Sequence, residues 1–358
     1  MYYATVAFCT ALLFLGALRR AAYLFGLIDR PSPRKTHVGD VPVVGGLAIG
    51  AALVTTCFIQ GSPSIPFITA GIIVLATGLL DDLHEFSAHN KFAGQLAAAL
   101  IMTYWADLQL ANLGNLWGTG NVMPGNWAIL FTLFCVVGLM NAMNMIDGID
   151  GLAGGIGLVA SGWLCLAGGL GQHEAGASIV CLLGATLAAF LIFNLRHPWR
   201  RHAVVFLGDA GSMFLGLVLV WFAVSASQSS SHDFYAISAV WILGVPIMDT
   251  VYVMLRRMVR GMSPFAPDRR HVHHTLIYIG LSESSTAWLL LSISLAFGGI
   301  GFAGSYHHVP EYVLTYGFIG LFAAYCAFMQ YWRVFLPLLG VKPKRFALRP
   351  RAVMSGTK

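Results

Sequence analysis

Uninterrupted apolar segments recur along the whole chain, at about 2–18, 41–60, 65–80, 92–106, 127–143, 152–170, 176–195, 210–227, 235–255, 286–306 and 311–332. That makes eleven, each near the length that crosses a bilayer as a helix. No strand periodicity competes, and helices satisfy their own backbone hydrogen bonds in hydrocarbon. The composition agrees: 57% of the 358 residues are hydrophobic and 10% charged, with a mean hydropathy of +0.73. Soluble domains are about a quarter charged. The 40 glycines suit close helix packing in lipid. The fold expected is all-α, a polytopic membrane helical bundle of about eleven transmembrane helices. It forms one domain over 1–335, with a basic tail over 336–358. No basic region precedes the first segment and no cleavage site is evident, so that segment is expected to remain a membrane helix.

All 21 Lys and Arg fall on one side of this arrangement, in alternate loops and the C-terminal tail. Arg34 and Lys35 follow the first span, Lys91 the third, Arg196 the seventh, and Arg256 to Arg270 the ninth. The positive-inside rule makes that side cytoplasmic, with the N-terminus periplasmic and the C-terminus cytoplasmic. The net charge of +6 is thus a consequence of topology. No basic groove with base-reading groups accompanies it, so no nucleic-acid partner is expected. The six cysteines stand singly in apolar runs, without metal or redox spacing, and read as core or lipid-facing fillers.

With so few charges, the carboxylates are informative. Asp107, Glu174, Asp233 and Glu311 fall in the outer loops and read as solvated charges. The inner side collects Asp81 and Asp82 in "LATGLLDDLHEF", Asp147 and Asp150 in "NAMNMIDGIDGLAGG", and Asp209 in "VFLGDAGS". Asp249 lies inside a span, with no role assignable from sequence. Asp209 and Asp150 can be read as helix N-caps. Asp81 and Asp82 fit capping poorly, because they end a span where the helix dipole is negative. A divalent cation explains the set better: Mg²⁺, with Mn²⁺ as an alternative, takes one or two carboxylates plus substrate phosphates.

Cationic groups suited to phosphate lie on the same side. "DRPSPRKTHVGDVPVVGG" holds Lys35 and His37; "SPFAPDRRHVHH" holds Arg269, Arg270, His271, His273 and His274. The histidine cluster could also be a zinc site, though no HExxH or cysteine pairing supports one, or a solvated basic loop. Several carboxylates, a divalent cation and cationic loops make a site for phosphoryl transfer. Its place at the membrane interface suggests a lipid phosphate substrate. The rival from another class is a cation-coupled transporter, which would place its acids nearer the midplane.

These motifs, in this order from residue 29 to about 274, resemble the polyprenyl-phosphate N-acetylhexosamine-1-phosphate transferases, bacterial inner-membrane enzymes with the active site on the cytoplasmic face. The resemblance implies transfer of a sugar 1-phosphate from a UDP-sugar to a polyprenyl phosphate, with Mg²⁺ and release of UMP. It implies Asp209 as metal ligand, with Asn144 as a second. It places Asp81 and Asp82 near the attacking lipid phosphate and Lys91 on that phosphate. Asp147 and Asp150 would line the nucleotide pocket, with Asn141 among the substrate-binding residues. Arg269, Arg270, His271, His273 and His274 would grip pyrophosphate and sugar. The stretch His271-Val272-His273-His274-Thr275 lacks the three adjacent histidines and following acid of the MurNAc-pentapeptide branch. It looks most like the branch that joins GlcNAc 1-phosphate to undecaprenyl phosphate to begin O-antigen or common-antigen synthesis. UDP-GlcNAc is therefore the expected donor, with GalNAc-, QuiNAc- or FucNAc-type sugars as alternatives. Direct displacement and an aspartyl-phosphate intermediate both stay open, and a homodimer is compatible with the resemblance.

Overall fold

The computed structural model describes residues 2–31, 39–61, 63–84, 86–170, 174–196, 200, 202–229, 234–263 and 270–338. The described part is helical: α1 (Tyr2–Phe25), α2 (Gly45–Gln60), α3 (Ile65–His84), α4 (Ala88–Leu100), α5 (Ala128–Ile146), α6 (Leu152–Leu170), α7 (Glu174–Asn194), α8 (Gly208–Ser227), α9 (Ala236–Ile242), α10 (Gly244–Val259), α11 (Val272–Ile279), α12 (Glu283–Tyr306) and α13 (Glu311–Leu338). A two-stranded antiparallel ribbon pairs β1 (Ile28–Asp29) with β2 (Val41–Pro42).

Each of the eleven apolar segments contributes helix, but not each is a full span. Six helices, α1, α3, α5, α8, α12 and α13, are long and apolar enough to cross a membrane; α9 with α10 makes a seventh if a bent pair counts as one. Among the described residues, α2, α6 and α7 are apolar but shorter. At 1.5 Å per residue, the 16 residues of α2 cover about 24 Å, less than a typical hydrocarbon core of about 30 Å. The segment at 92–106 becomes α4 followed by a π-helical turn over Ile101–Trp105.

The segment at 235–255 is two helices, not one, meeting at 84° around Leu243. Pro246 explains the break. It has no N–H to give the Ile242 carbonyl, so α9 cannot run on, whereas proline fits the first turn of a new helix.

α8 is the centre of the bundle. Every residue from Ala210 to Val224 is buried, and α2, α3, α5, α6, α7 and α9 pack on it. A helix apolar all round belongs in a core. Small residues permit the approach: a Cβ added at Gly46 or Gly78 would strike the α8 backbone near Ala210. The expectation that all cysteines are isolated is corrected. Cys165 of α6 and Cys181 of α7 form a disulfide, with Cα atoms 5.5 Å apart. No motif spacing announces it, because the antiparallel packing of two neighbouring helices brings the pair together.

Candidate active site

The start of α8 is held in place from two directions. Backbone bonds run from Phe206 N–H to the Pro42 carbonyl, and from Gly45 and Gly46 N–H to the Phe206 and Leu207 carbonyls. Gly208 then turns with φ of +77°, and a side chain there would also meet Val43 and the Asp82 carboxylate. This turn delivers Asp209 in the first turn of α8.

From α3, the two oxygens of Asp82 accept the backbone N–H groups of Asp209 (2.9 Å) and Ala210 (3.2 Å). The capping argument is therefore corrected. Asp209 does not cap its own helix; the residue before α8, Leu207, makes no side-chain cap bond. Asp82 sits at the negative end of α3 but serves the positive end of α8. Asp150 is likewise engaged, accepting from the Arg196 Nε (2.7 Å) and the Ala203 N–H (3.1 Å).

The Lys91 ammonium, in the first turn of α4, lies between Asp81 and Asp209. It pairs with Asp81 Oδ2 and reaches Asp209 Oδ2 at 2.5 Å. Asp81 is buried, and its other oxygen accepts the Phe86 N–H at 2.7 Å. Asn144, in the last turn of α5, donates from Nδ2 to Asp209 Oδ1 (2.8 Å) and Ser212 Oγ (2.9 Å). Thus the end of α3, the starts of α4 and α8 and the end of α5 meet on Asp209. A half-turn of the Asn144 amide would present Oδ1 beside the Asp209 carboxylate instead.

Asp147 follows α5 directly, and Asp150 precedes α6. Burial, with the nearby carboxylates of Asp209, Asp82 and Asp150, pushes the Asp147 carboxyl up to about 8. That marks an excess of negative charge which a cation would relieve. No cluster of three or more His, Cys, Asp or Glu able to hold a metal occurs among the described residues. Asp209 and Asn144 are hard oxygen donors, but too few to complete a coordination shell. This fits Mg²⁺, which ordinarily takes the rest from phosphates and water.

The histidine cluster opens α11. His271 and His273 are buried; His274 is half-buried, its ring 4.2 Å from that of His273. The His273 ring packs on Gly148, in the turn carrying Asp147 and Asp150. Burial and His274 push the His273 imidazole down to about 3, which keeps it neutral. Arg270 is exposed beside them. Asn141 points to a partner the sequence reading missed: its Nδ2 donates to Gln95 Oε1 at 2.8 Å, and Gln95 Nε2 returns a bond to Asn141 Oδ1 at 3.3 Å. Arg196 was also missed as a site residue. It bridges Asp150 to Glu283 of α12, the latter at 2.5 Å. Its sequence signal was only a charge at a helix end. Lys35, His37 and Arg269 lie outside the described residues.

Comparison with known proteins supports the family resemblance. Residues 64–227 match the model described as glycosyl transferase family 4. Proteins named undecaprenyl-phosphate alpha-N-acetylglucosaminyl 1-phosphate transferase align over most of the chain. The one from Salmonella typhi is 34% identical, covering 89% of this chain and 87% of the relative. The Escherichia coli (strain K12) protein is 34% identical, covering 87% and 86%, and that of Haemophilus influenzae 32%, covering 92% and 94%. The transporter alternative is dropped. The chain belongs to glycosyl transferase family 4, and it is a sugar-phosphate transferase built on a multi-pass membrane bundle.

Proposed function

We propose that the chain transfers GlcNAc 1-phosphate from UDP-GlcNAc to undecaprenyl phosphate, releasing UMP, at the cytoplasmic face of a bacterial inner membrane. The observation that carries this reading is the Lys91 ammonium held between Asp81 and Asp209. It offers a fixed cation to an incoming lipid phosphate beside the carboxylate best placed for a metal. The one-sided Lys and Arg distribution supports the cytoplasmic placement.

In this reading a lipid phosphate oxygen attacks the β-phosphorus of the donor. The bond from that phosphorus to the bridging oxygen breaks, and the electron pair leaves with UMP. Lys91 orients the attacking phosphate, while Asp81 holds Lys91 in place. Asp82 keeps the Asp209 segment rigid. Asp147, Asp150 and Asn141 line the nucleotide side, and the histidine cluster with Arg269 and Arg270 takes the pyrophosphate and sugar. Asp209 and Asn144 would hold Mg²⁺, which when bound would supply positive charge to the pyrophosphate and the leaving UMP.

The test uses purified protein, undecaprenyl phosphate, Mg²⁺ and competing UDP-sugars at equal concentration, with the lipid product identified by mass. The expected outcome is GlcNAc transfer with UMP release, clearly preferred over glucose and more weakly over GalNAc. A site that hydrogen-bonds an N-acetyl group strongly rejects an analogue lacking it. Dominant transfer of phospho-MurNAc-pentapeptide would overturn the donor assignment. Labelling of His274→Cys by a thiol reagent from outside intact cells would overturn the cytoplasmic placement.

A further inference from the structure

Asp249, on α10, is 1% exposed, yet its carboxylate is fully partnered. Oδ2 meets His271 Nδ1 at 2.7 Å. Oδ1 accepts the Val272 N–H and the Tyr325 hydroxyl, each at 2.8 Å. Three elements of the fold, α10, the entry to α11 and α13, thus converge on one buried acid. With Asp249 ionised, its oxygens only accept, and Nδ1 of His271 then carries the proton. The opposite ring edge, Nε2, is left for another partner. The His271 ring stands parallel to that of His273, 8° apart with centroids 5.9 Å away, and His273 packs on the turn between Asp147 and Asp150.

We propose that Asp249 is a positioning residue for sugar-phosphate transfer: it holds His271 as the Nδ1–H tautomer in one ring orientation, with Nε2 reserved for the nucleotide-sugar. The proposal rests on the reading above that His271 belongs to the donor site. The bland alternative is that Asp249 merely ties α11 to the bundle through Val272. Chemistry separates the two. In Asp249→Asn, the amide oxygen can keep the Val272 and Tyr325 bonds. The amide NH₂ now faces Nδ1 and forces the proton to Nε2. The anchor survives while the tautomer inverts.

The test is a double-mutant cycle with a separate measurement of the tautomer. His271→Asn retains a donor where Nδ1 was and deletes Nε2. Asp249→Asn and His271→Asn should each lower kcat about 10- to 100-fold, by analogy with the losses seen for carboxylates that orient metal-ligating histidines. Melting temperatures in detergent should stay near wild type, and the double variant should be no slower than the slower single one. Effects that multiply, or a melting temperature that falls in step with kcat, would reduce Asp249 to an anchor. Two-bond ¹H–¹⁵N NMR on ¹⁵N-histidine protein, with the His271 signals identified by their loss in His271→Asn, should show protonated Nδ1 in the wild type. A wild-type Nε2–H tautomer overturns the proposal outright. That measurement uses no substrate, so it holds or fails independently of whether UDP-GlcNAc proves to be the donor.

Discussion

Asp82 and Asp209 are separated by 127 positions in the chain, and the carboxylate of the first accepts the backbone N–H of the second at 2.9 Å. Two neighbouring aspartates therefore have different partners. Asp81 faces Lys91, whereas Asp82 faces the backbone of α8. Asp82→Asn replaces one acceptor oxygen with an NH₂ that confronts a backbone donor. Stability should fall by about 1–2 kcal/mol, the usual cost of a lost cap, and activity should fall with it. Asp81→Asn should lower kcat without a comparable loss of melting temperature. Thermal unfolding in detergent, beside steady-state kinetics, checks both. Equal melting temperatures for wild type and Asp82→Asn would count against the anchoring role.

Lys91 bridges two carboxylates, Asp81 and Asp209, that would otherwise repel. Lys91→Met should cut turnover by orders of magnitude and raise KM for undecaprenyl phosphate more than KM for the UDP-sugar. Lys91→Arg should recover only part of the activity, because a planar guanidinium cannot replace a compact ammonium between two acids. A variant impaired only in UDP-sugar binding would place Lys91 on the wrong substrate.

Chelation tests the metal. EDTA should abolish transfer, and added Mg²⁺ should restore it. In Asp209→Asn the Mg²⁺ concentration for half-maximal activity should rise at least tenfold, with melting temperature held. Near-normal Mg²⁺ dependence in Asp209→Asn would remove that residue from the metal site.

Asp147 gives a pH signature. Its folded carboxyl titrates near 8, far above the ordinary value of 3.8, because of burial and the Asp209, Asp82 and Asp150 carboxylates. The folded state therefore binds the proton more tightly than the unfolded chain. The stability this provides is complete below about pH 4 and is lost as pH rises through about 8. The metal-free melting temperature should decline across that window. In Asp147→Asn the decline should be shallower. An unchanged slope in the variant would mean that another group carries the effect.

The disulfide offers a control remote from the chemistry. Cys165 lies about 20 Å along α6 from its start near Asp150, by the rise of a helix. Replacing both cysteines with serine should lower the melting temperature while leaving kcat within about twofold. Chain-entropy arguments for a loop of 16 residues set the loss at about 3 kcal/mol. Disulfides persist in oxidising compartments, and the proposed orientation puts that half of the hairpin toward the periplasm. Full alkylation of Cys165 and Cys181 without reductant would contradict it.

Apolar length and charge placement are local properties, and in a chain that is only 10% charged they stand out. They were enough to read a helical membrane bundle, the segments that build it, and the acids and cations at one set of helix ends. The order of those motifs was enough to place the family. Hydropathy alone could not show where a helix stops within an apolar run, so the break at Leu243 and the short reach of α2 came only from the structure. Nor could it assign partners. Asp82 to the α8 backbone, Gln95 to Asn141, Arg196 to Asp150 and Glu283, Cys165 to Cys181, and Asp249 to His271 all join residues that packing alone brings together. Such pairings have no periodicity along the chain. They depend on which helix faces which, and that is set by the close approach of small residues around α8.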